Sequence, residues 1–175
     1  MAFILRRVAD AVAIVEAGGP NPAATITPHY LAINRNAMVE GGIRPHVYCL
    51  PVVKRETHRL ALRRAATSGS AKFFPGTVSA PHAVGAKQSA CGCADVFNAP
   101  FAVENYAKTF DEEGAIDRLE ALAPENGARF YGLSLNDDVM VLERAATPVP
   151  GKMTLGAEDL APFHAGETLD WSLVG

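Results

Sequence analysis

The run Gly76-Thr77-Val78-Ser79-Ala80-Pro81-His82, with Cys91-Gly92-Cys93-Ala94 shortly after it, brings a serine, a histidine and two cysteines close together in the sequence. Two chemistries are open to such a group. Cys91, Cys93 and His82 could hold a soft divalent metal, but Cys-x-Cys is not the spacing of a zinc ribbon or finger. Reduced loop cysteines are the plainer reading. Ser79 and His82 could act as nucleophile and base, but no Gly-x-Ser-x-Gly elbow surrounds the serine. Val78, in the middle of the run, offers neither a lone pair nor a titratable proton. The other histidines, His29, His46, His58 and His164, are scattered, and His58 falls on a charged helix face that reads as solvated. The acidic runs Asp111-Glu112-Glu113, Asp137-Asp138 and Glu158-Asp159 read as helix ends and surface. No P-loop or Gly-x-Gly-x-x-Gly fingerprint is present.

Repeated β/α units must position this group. Ala2–Leu5 is a short apolar run that suits a buried strand. Over Val8–Ala17, the residues Val8, Ala11, Val12, Ile14 and Val15 predict one inward helical face, and Gly18-Gly19-Pro20 ends it. Ala23–Thr27 is a second strand. His46–Leu50 is a short aromatic and apolar segment closed by Pro51. Lys54–Thr67 predicts a helix with Leu60 and Leu62 inward and Arg55, Arg59, Arg63 and Arg64 on a solvated face. Ala71–Phe74 is a third strand, and it delivers Gly76–His82 at its end. Helix, turn, strand and polar loop is the rhythm of β/α folds. From Asn98 the pattern changes to helices over Pro100–Phe110 and Ala115–Ala123. A linker follows over Asn126–Leu133, with Phe130 and Tyr131 as packing anchors. Val139–Leu142 reads as an outer strand, and the tail through Trp171 as a surface extension with one buried aromatic.

The 175 residues suit one domain, and 49% hydrophobic with 20% charged residues gives enough apolar surface for a packed core. A net charge of −3 leaves no electrostatic footprint for nucleic acid. No apolar run reaches the roughly 18 residues of a membrane span. The N-terminus places its apolar residues before Arg6-Arg7, the reverse of a secretory signal. Cys49, Cys91 and Cys93 cannot all pair, which points to a reducing, cytoplasmic compartment.

Ordered motifs run through nearly the whole chain: Ala24-Thr25-Ile26-Thr27-Pro28, Asn34-Arg35-Asn36, the stretch Gly41-Gly42-Ile43-Arg44-Pro45-His46-Val47-Tyr48-Cys49-Leu50-Pro51, and Lys54-Arg55. After them come Ser79-Ala80-Pro81-His82, Cys91-Gly92-Cys93-Ala94, Phe97-Asn98-Ala99-Pro100, Phe130-Tyr131-Gly132-Leu133 and Ala165-Gly166-Glu167-Thr168. In order and spacing they resemble the C-terminal half of the single-domain bacterial dihydroorotases of the amidohydrolase superfamily. The resemblance implies an α/β fold, a partial (β/α)8 TIM barrel. It would comprise roughly the last three β/α units over 1–97 and a C-terminal extension of helices and tail over 98–175, in a single domain 1–175. Sites on such a barrel lie at the C-terminal ends of the strands.

In that family the reaction is the reversible cyclisation of N-carbamoyl-L-aspartate to L-dihydroorotate, in pyrimidine biosynthesis. Two zinc ions bridged by a carboxylated lysine generate the hydroxide nucleophile, and an aspartate on the last strand moves the proton. The resemblance places that aspartate at Val78 and the sixth-strand histidine ligand at Leu5. It leaves the first-strand His-x-His, the lysine and the fifth-strand histidine outside the matched half. It also implies substrate contacts through the backbone of Leu50, the side chain of His82 and the backbone of Ala94. The arginine and asparagine that complete the carboxylate clamp belong to the other half.

The expectation is therefore a chain with no catalytic residue and no metal ligand of its own, although the family uses zinc. A residual site for dihydroorotate or carbamoyl aspartate is expected to remain. Three strands of a barrel would leave two unpaired edges, which predicts a homo-oligomer or a partner protein. The alternative is a non-catalytic scaffold subunit that binds aspartate transcarbamoylase or an active dihydroorotase.

Overall fold

Apolar strands and amphipathic helices alternate along the first half of the chain, and they assemble into a parallel sheet with order β1-β2-β3. The strands are β1 (Ala2–Ile4), β2 (Ala23–Ile26) and β3 (Phe73–Pro75). In register, Ala2 faces Ala23, and Ala24 and Ile26 face Phe73 and Pro75. The computed structural model describes residues 2–4 and 9–175, so Leu5, the expected sixth-strand ligand position, lies outside the described residues. Parallel neighbours need long crossovers. Helix α1 (Ala9–Ala17) supplies the first, and α2 (Pro28–Ala32) and α3 (Glu56–Ala66) lie in the second. Ala23, Ala24 and Ile26 of the middle strand are buried, as a strand covered on both faces requires.

Val12 and Val15 turn α1 inward, but Ile14 is 67% exposed. Two residues on from Val12 is about 200° around a helix, so Ile14 falls opposite the face it was expected to join. The same geometry corrects α3, where Leu62 is buried and Leu60 is exposed. His58 is not simply solvated, because its Nδ1 accepts the Ala9 N–H that opens α1 (3.2 Å). At the other end of α1, Lys72 Nζ donates to the carbonyls of Val15 (2.8 Å), Glu16 (3.1 Å) and Gly18. A cation there satisfies orphan carbonyls and opposes the helix dipole.

Arg63 reverses its expectation. It is buried, and its guanidinium donates to Glu113 Oε1 (2.5 Å) and Glu112 Oε2 (2.8 Å) at the end of α5 (Ala102–Glu112). Part of the acidic run 111–113 thus neutralises a buried charge. Beyond α5, Ile116–Arg118 is a 3₁₀ turn and Ala121–Asn126 a π-helical segment containing Pro124. The stretch read as a linker continues instead as helix α6 (Gly127–Tyr131), closed by Gly132 at φ +67°. A wider helical turn accommodates the proline's missing N–H. Phe130 and Tyr131 do act as anchors, with ring centroids 5.5 and 5.8 Å from Phe74.

The outer edge of β3 is not open in the way a bare strand would be. Ala24 N–H bonds to Lys72 O, and Gly76 N–H to Ile26 O, so residues 72 and 76 face β2. Strand alternation then turns 73 and 75 outward. Phe73 N–H bonds to Ser70 O, Phe73 O accepts Asn126 Nδ2 (3.0 Å), and Pro75 has no N–H.

The tail is more ordered than a surface extension. Three antiparallel pairs nest within it: β4 (Leu142–Glu143) with β9 (Ser172–Leu173), β5 (Thr147–Pro148) with β8 (Thr168–Leu169), and β6 (Met153–Leu155) with β7 (Glu158–Leu160). The outer strand expected over 139–142 is confined to Leu142–Glu143. The buried aromatic is Phe163, whose N–H bonds to Phe97 O (2.7 Å), while Trp171 is half-buried beneath Arg144. No helix among the described residues is long and apolar enough to cross a membrane.

Candidate functional site

At the C-terminal end of β3 the chain turns through Gly76, where a Cβ would stand 2.7 Å from the Cβ of Thr25. Glycine alone permits that approach to β2. Thr77 O accepts Asn98 Nδ2 (2.8 Å), and that amide nitrogen also lies 2.8 Å from Nδ1 of buried His29. His29 therefore serves the framework. Ser79 Oγ accepts the N–H groups of Asn98 (3.1 Å) and Ala99 (3.0 Å), so the serine caps a turn rather than pairing with His82. Ala80 N–H bonds to Val96 O. Between these fixed points stands Val78, half-buried, with φ +45°. A β-branched residue rarely adopts that left-handed backbone.

Leu50 and Ala94 lie on two loops that meet through Asp95. Leu50 N–H donates to Asp95 Oδ1 (3.2 Å), and Asp95 N–H to Tyr48 O (2.9 Å). Behind Leu50, buried Cys49 sits against Tyr30, whose hydroxyl donates to Pro51 O, and burial pushes the Cys49 thiol pKa up. His82 precedes the short helix α4 (Val84–Lys87) and is half-buried. Its ring is hydrogen-bonded to no described residue, nor is the Ala94 N–H. From α4, buried Lys87 extends its ammonium to the carbonyls of Tyr48 (3.0 Å), Cys93 (2.7 Å) and Asp95 (2.8 Å). The loops expected to carry Leu50, His82 and Ala94 are thus joined in one assembly.

Sequence reasoning missed Lys87, Asp95 and Asn98, the three residues that hold this assembly together. Their types gave little signal, since each works through backbone groups brought in by other segments. The remaining histidines lie apart from it or at its margin. His46 Nε2 is 3.1 Å from Gln88 Nε2, and burial, with the nearby Lys87 cation, lowers its pKa. His164, at φ +65°, pairs with Glu167 (2.6 Å).

Among the described residues, no three His, Cys, Asp or Glu side chains converge as metal ligands. Cys91, exposed, and Cys93, half-buried, are free thiols and form no such group with His82. A cleft of about 870 Å³ lies elsewhere, bordered by Asn36, Arg59, Lys108, Glu112 and His164, and none of Leu50, Val78, His82 or Ala94 lines it. Its cations are already paired, Arg59 with Glu56 and Lys108 with Asp170.

No protein-family model matches the chain. Individual proteins do. The chain is 60% identical over 166 residues to the dihydroorotase of Sphingopyxis alaskensis, a match covering 95% of this chain and 48% of that protein. It is 54% identical over 164 residues to the dihydroorotase of Vibrio vulnificus, covering 94% and 48%. The solved dihydroorotase of Saccharomyces cerevisiae, in complex with 5-fluoroorotic acid, superposes with a TM-score of 0.87 at 28% identity, over 99% of this chain and 50% of that one. An L-hydantoinase from Arthrobacter aurescens superposes at 0.75 with 17% identity, a likeness of fold alone. The chain spans about half the length of the curated relatives it matches.

Proposed function

Because this chain belongs to the dihydroorotase family and matches its C-terminal half, we propose that it keeps part of the family's substrate-binding surface and by itself does not turn the substrate over. The observation that carries this reading is Val78. It stands at the third position of Gly-Thr-x-Ser-Ala-Pro-His, at the end of β3, where the family resemblance calls for an aspartate. An isopropyl group has no lone pair to give a metal and no proton to exchange. The donor set on the described residues does not fit the family's zinc pair.

A weak anion-binding role fits what is retained. His82 and the Ala94 N–H have no protein partner among the described residues, and a carboxylate of dihydroorotate or carbamoyl aspartate would complement both. The Leu50 N–H is engaged by Asp95, so a ligand ring would have to compete with that carboxylate for it. The free cysteines favour a cytoplasmic setting.

Hydrolysis of L-dihydroorotate by the purified chain, with zinc supplied, tests the reading. No turnover above background is expected, and none from Val78→Asp, because one carboxylate cannot replace a whole ligand set. Turnover that a chelator abolishes would overturn it.

A second reading is favoured by the β1 side of the sheet, beyond which no described strand pairs. Here the chain is a non-catalytic scaffold docked on aspartate transcarbamoylase or an active dihydroorotase. Stoichiometric co-purification with either enzyme would support it.

A further inference from the structure

We infer that Lys87 is the positioning residue of this site: its ammonium sets the direction of the Ala94 N–H and the spacing of the Leu50 loop. The inference rests on the binding role proposed above and extends it to a residue outside the expected contacts.

An ammonium has three N–H donors, and all of them are accounted for by the carbonyls of Tyr48, Cys93 and Asp95, at 3.0, 2.7 and 2.8 Å. Lys87 is 3% exposed, so no solvent competes strongly for them. The choice of carbonyls is informative. Cys93 C=O and Ala94 N–H belong to one planar trans peptide unit. Fixing that carbonyl onto Lys87 turns the Ala94 N–H to the opposite side, away from the cation and available to a ligand. Asp95 C=O fixes the next unit. Tyr48 O receives both Lys87 and the Asp95 N–H, and Asp95 in turn takes the N–H of Leu50. One buried charge thereby links the loops on which two of the three expected contacts depend.

A structural lysine at the surface would not need this. Burial holds the Lys87 pKa below its ordinary value, while Cys49, Asp95 and Cys93 partly oppose the shift. Burying a cation is costly, and three carbonyls converging on it offset that cost only while the loops keep this arrangement. The three carbonyls come from three different residues and meet at one nitrogen, which an arginine's planar fork would not reproduce.

Lys87→Met removes the donors and keeps the apolar stem. The full chain and the variant are compared by hydrogen exchange at the Leu50 and Asp95 amides and by titration with L-dihydroorotate. Expected are exchange at least tenfold faster at both amides, unchanged exchange in α5, and at least tenfold weaker binding. Lys87→Arg, which keeps the charge but not the geometry, should recover less than half of either loss. Unaltered exchange at Leu50 and Asp95 in Lys87→Met would overturn the inference. Should the unmodified chain not bind L-dihydroorotate, the binding role fails, and the exchange rates still decide whether Lys87 holds the loops.

If Lys87→Met does not fold, an alkaline titration of the unmodified chain decides instead. The ¹³C shifts of the Tyr48, Cys93 and Asp95 carbonyls should move with one midpoint, that of Lys87 Nζ. His46, Tyr48, Cys49, Cys93 and Asp95 are the titratable groups that face it, and the ¹⁵N shift of Lys87 Nζ, followed in the same titration, identifies its own midpoint. Carbonyl shifts that ignore the Lys87 midpoint would overturn the inference.

Discussion

On the proposed reading, Val78 is the one side chain that separates ancestry from activity. The loop on either side of it is held by Asn98 and Ser79, so the backbone at the end of β3 is fixed around a side chain with neither a lone pair nor a titratable proton. Elsewhere single residues carry stability that responds to pH. Glu56 accepts from Arg59 and Asn34, and those hydrogen bonds, chiefly the one from Arg59, hold its carboxyl at about 2, against an ordinary value of 4.5. A folded-state pKa below the unfolded one means the stabilisation is fully present above about pH 4.5 and is lost as pH falls toward 2. Thermal melts of the chain and of Glu56→Gln should converge across that window, with the variant the flatter of the two. Parallel curves would show that the carboxylate contributes nothing.

Elements meet here through charges that a helical pattern cannot reveal. Leu60 and Leu62 were expected to share a face, yet two residues on a helix stand about 200° apart, so only Leu62 enters the core. Arg63 looked solvated beside other arginines. Its partners, Glu112 and Glu113, arrive from α5 almost fifty residues later. Cutting the guanidinium away leaves Glu113 without its ion pair and Glu112 with Lys108 alone, at 3.5 Å. Arg63→Ala should therefore cost about 2–3 kcal/mol in chemical unfolding, toward the lower end for a broken buried ion pair because both acids are partly in water. A cost below about 0.5 kcal/mol would contradict that assignment. Asn126 acts at the edge of β3, where its amide covers the Phe73 and Ser70 carbonyls. Replacing it with alanine should cost about 2 kcal/mol, the loss of one buried and one partly buried bond, and should raise self-association seen by light scattering. Unchanged scattering would mean the edge is protected by other groups.

Across the whole molecule, the β/α rhythm was legible because it rests on local signals: apolar strands, a glycine-proline stop, and the turn residues before β3. The assembly of loops around Leu50, His82 and Ala94 was legible only through resemblance. Lys87 and Asp95 were invisible because each bonds to backbone carbonyls or amides, which every residue type supplies. The placement of α6 and of the tail rests on contacts of long sequence range, the Phe130 and Tyr131 rings against Phe74 and the Phe163 N–H on Phe97 O. Three parallel strands with β1 at one side still predict association, and β3 is less available for it than expected. Sedimentation at micromolar concentration should find oligomers or an obligate partner. A dispersed, cooperatively folded monomer would contradict this.

Isothermal titration of the pure, zinc-supplemented chain with L-dihydroorotate tests the central claim most directly, since binding and turnover leave different heat signatures. Saturating pulses that each return to baseline are expected, the mark of a ligand held and not converted. Sustained, chelator-sensitive heat after every injection would contradict the account, showing that catalysis proceeds in the presence of Val78.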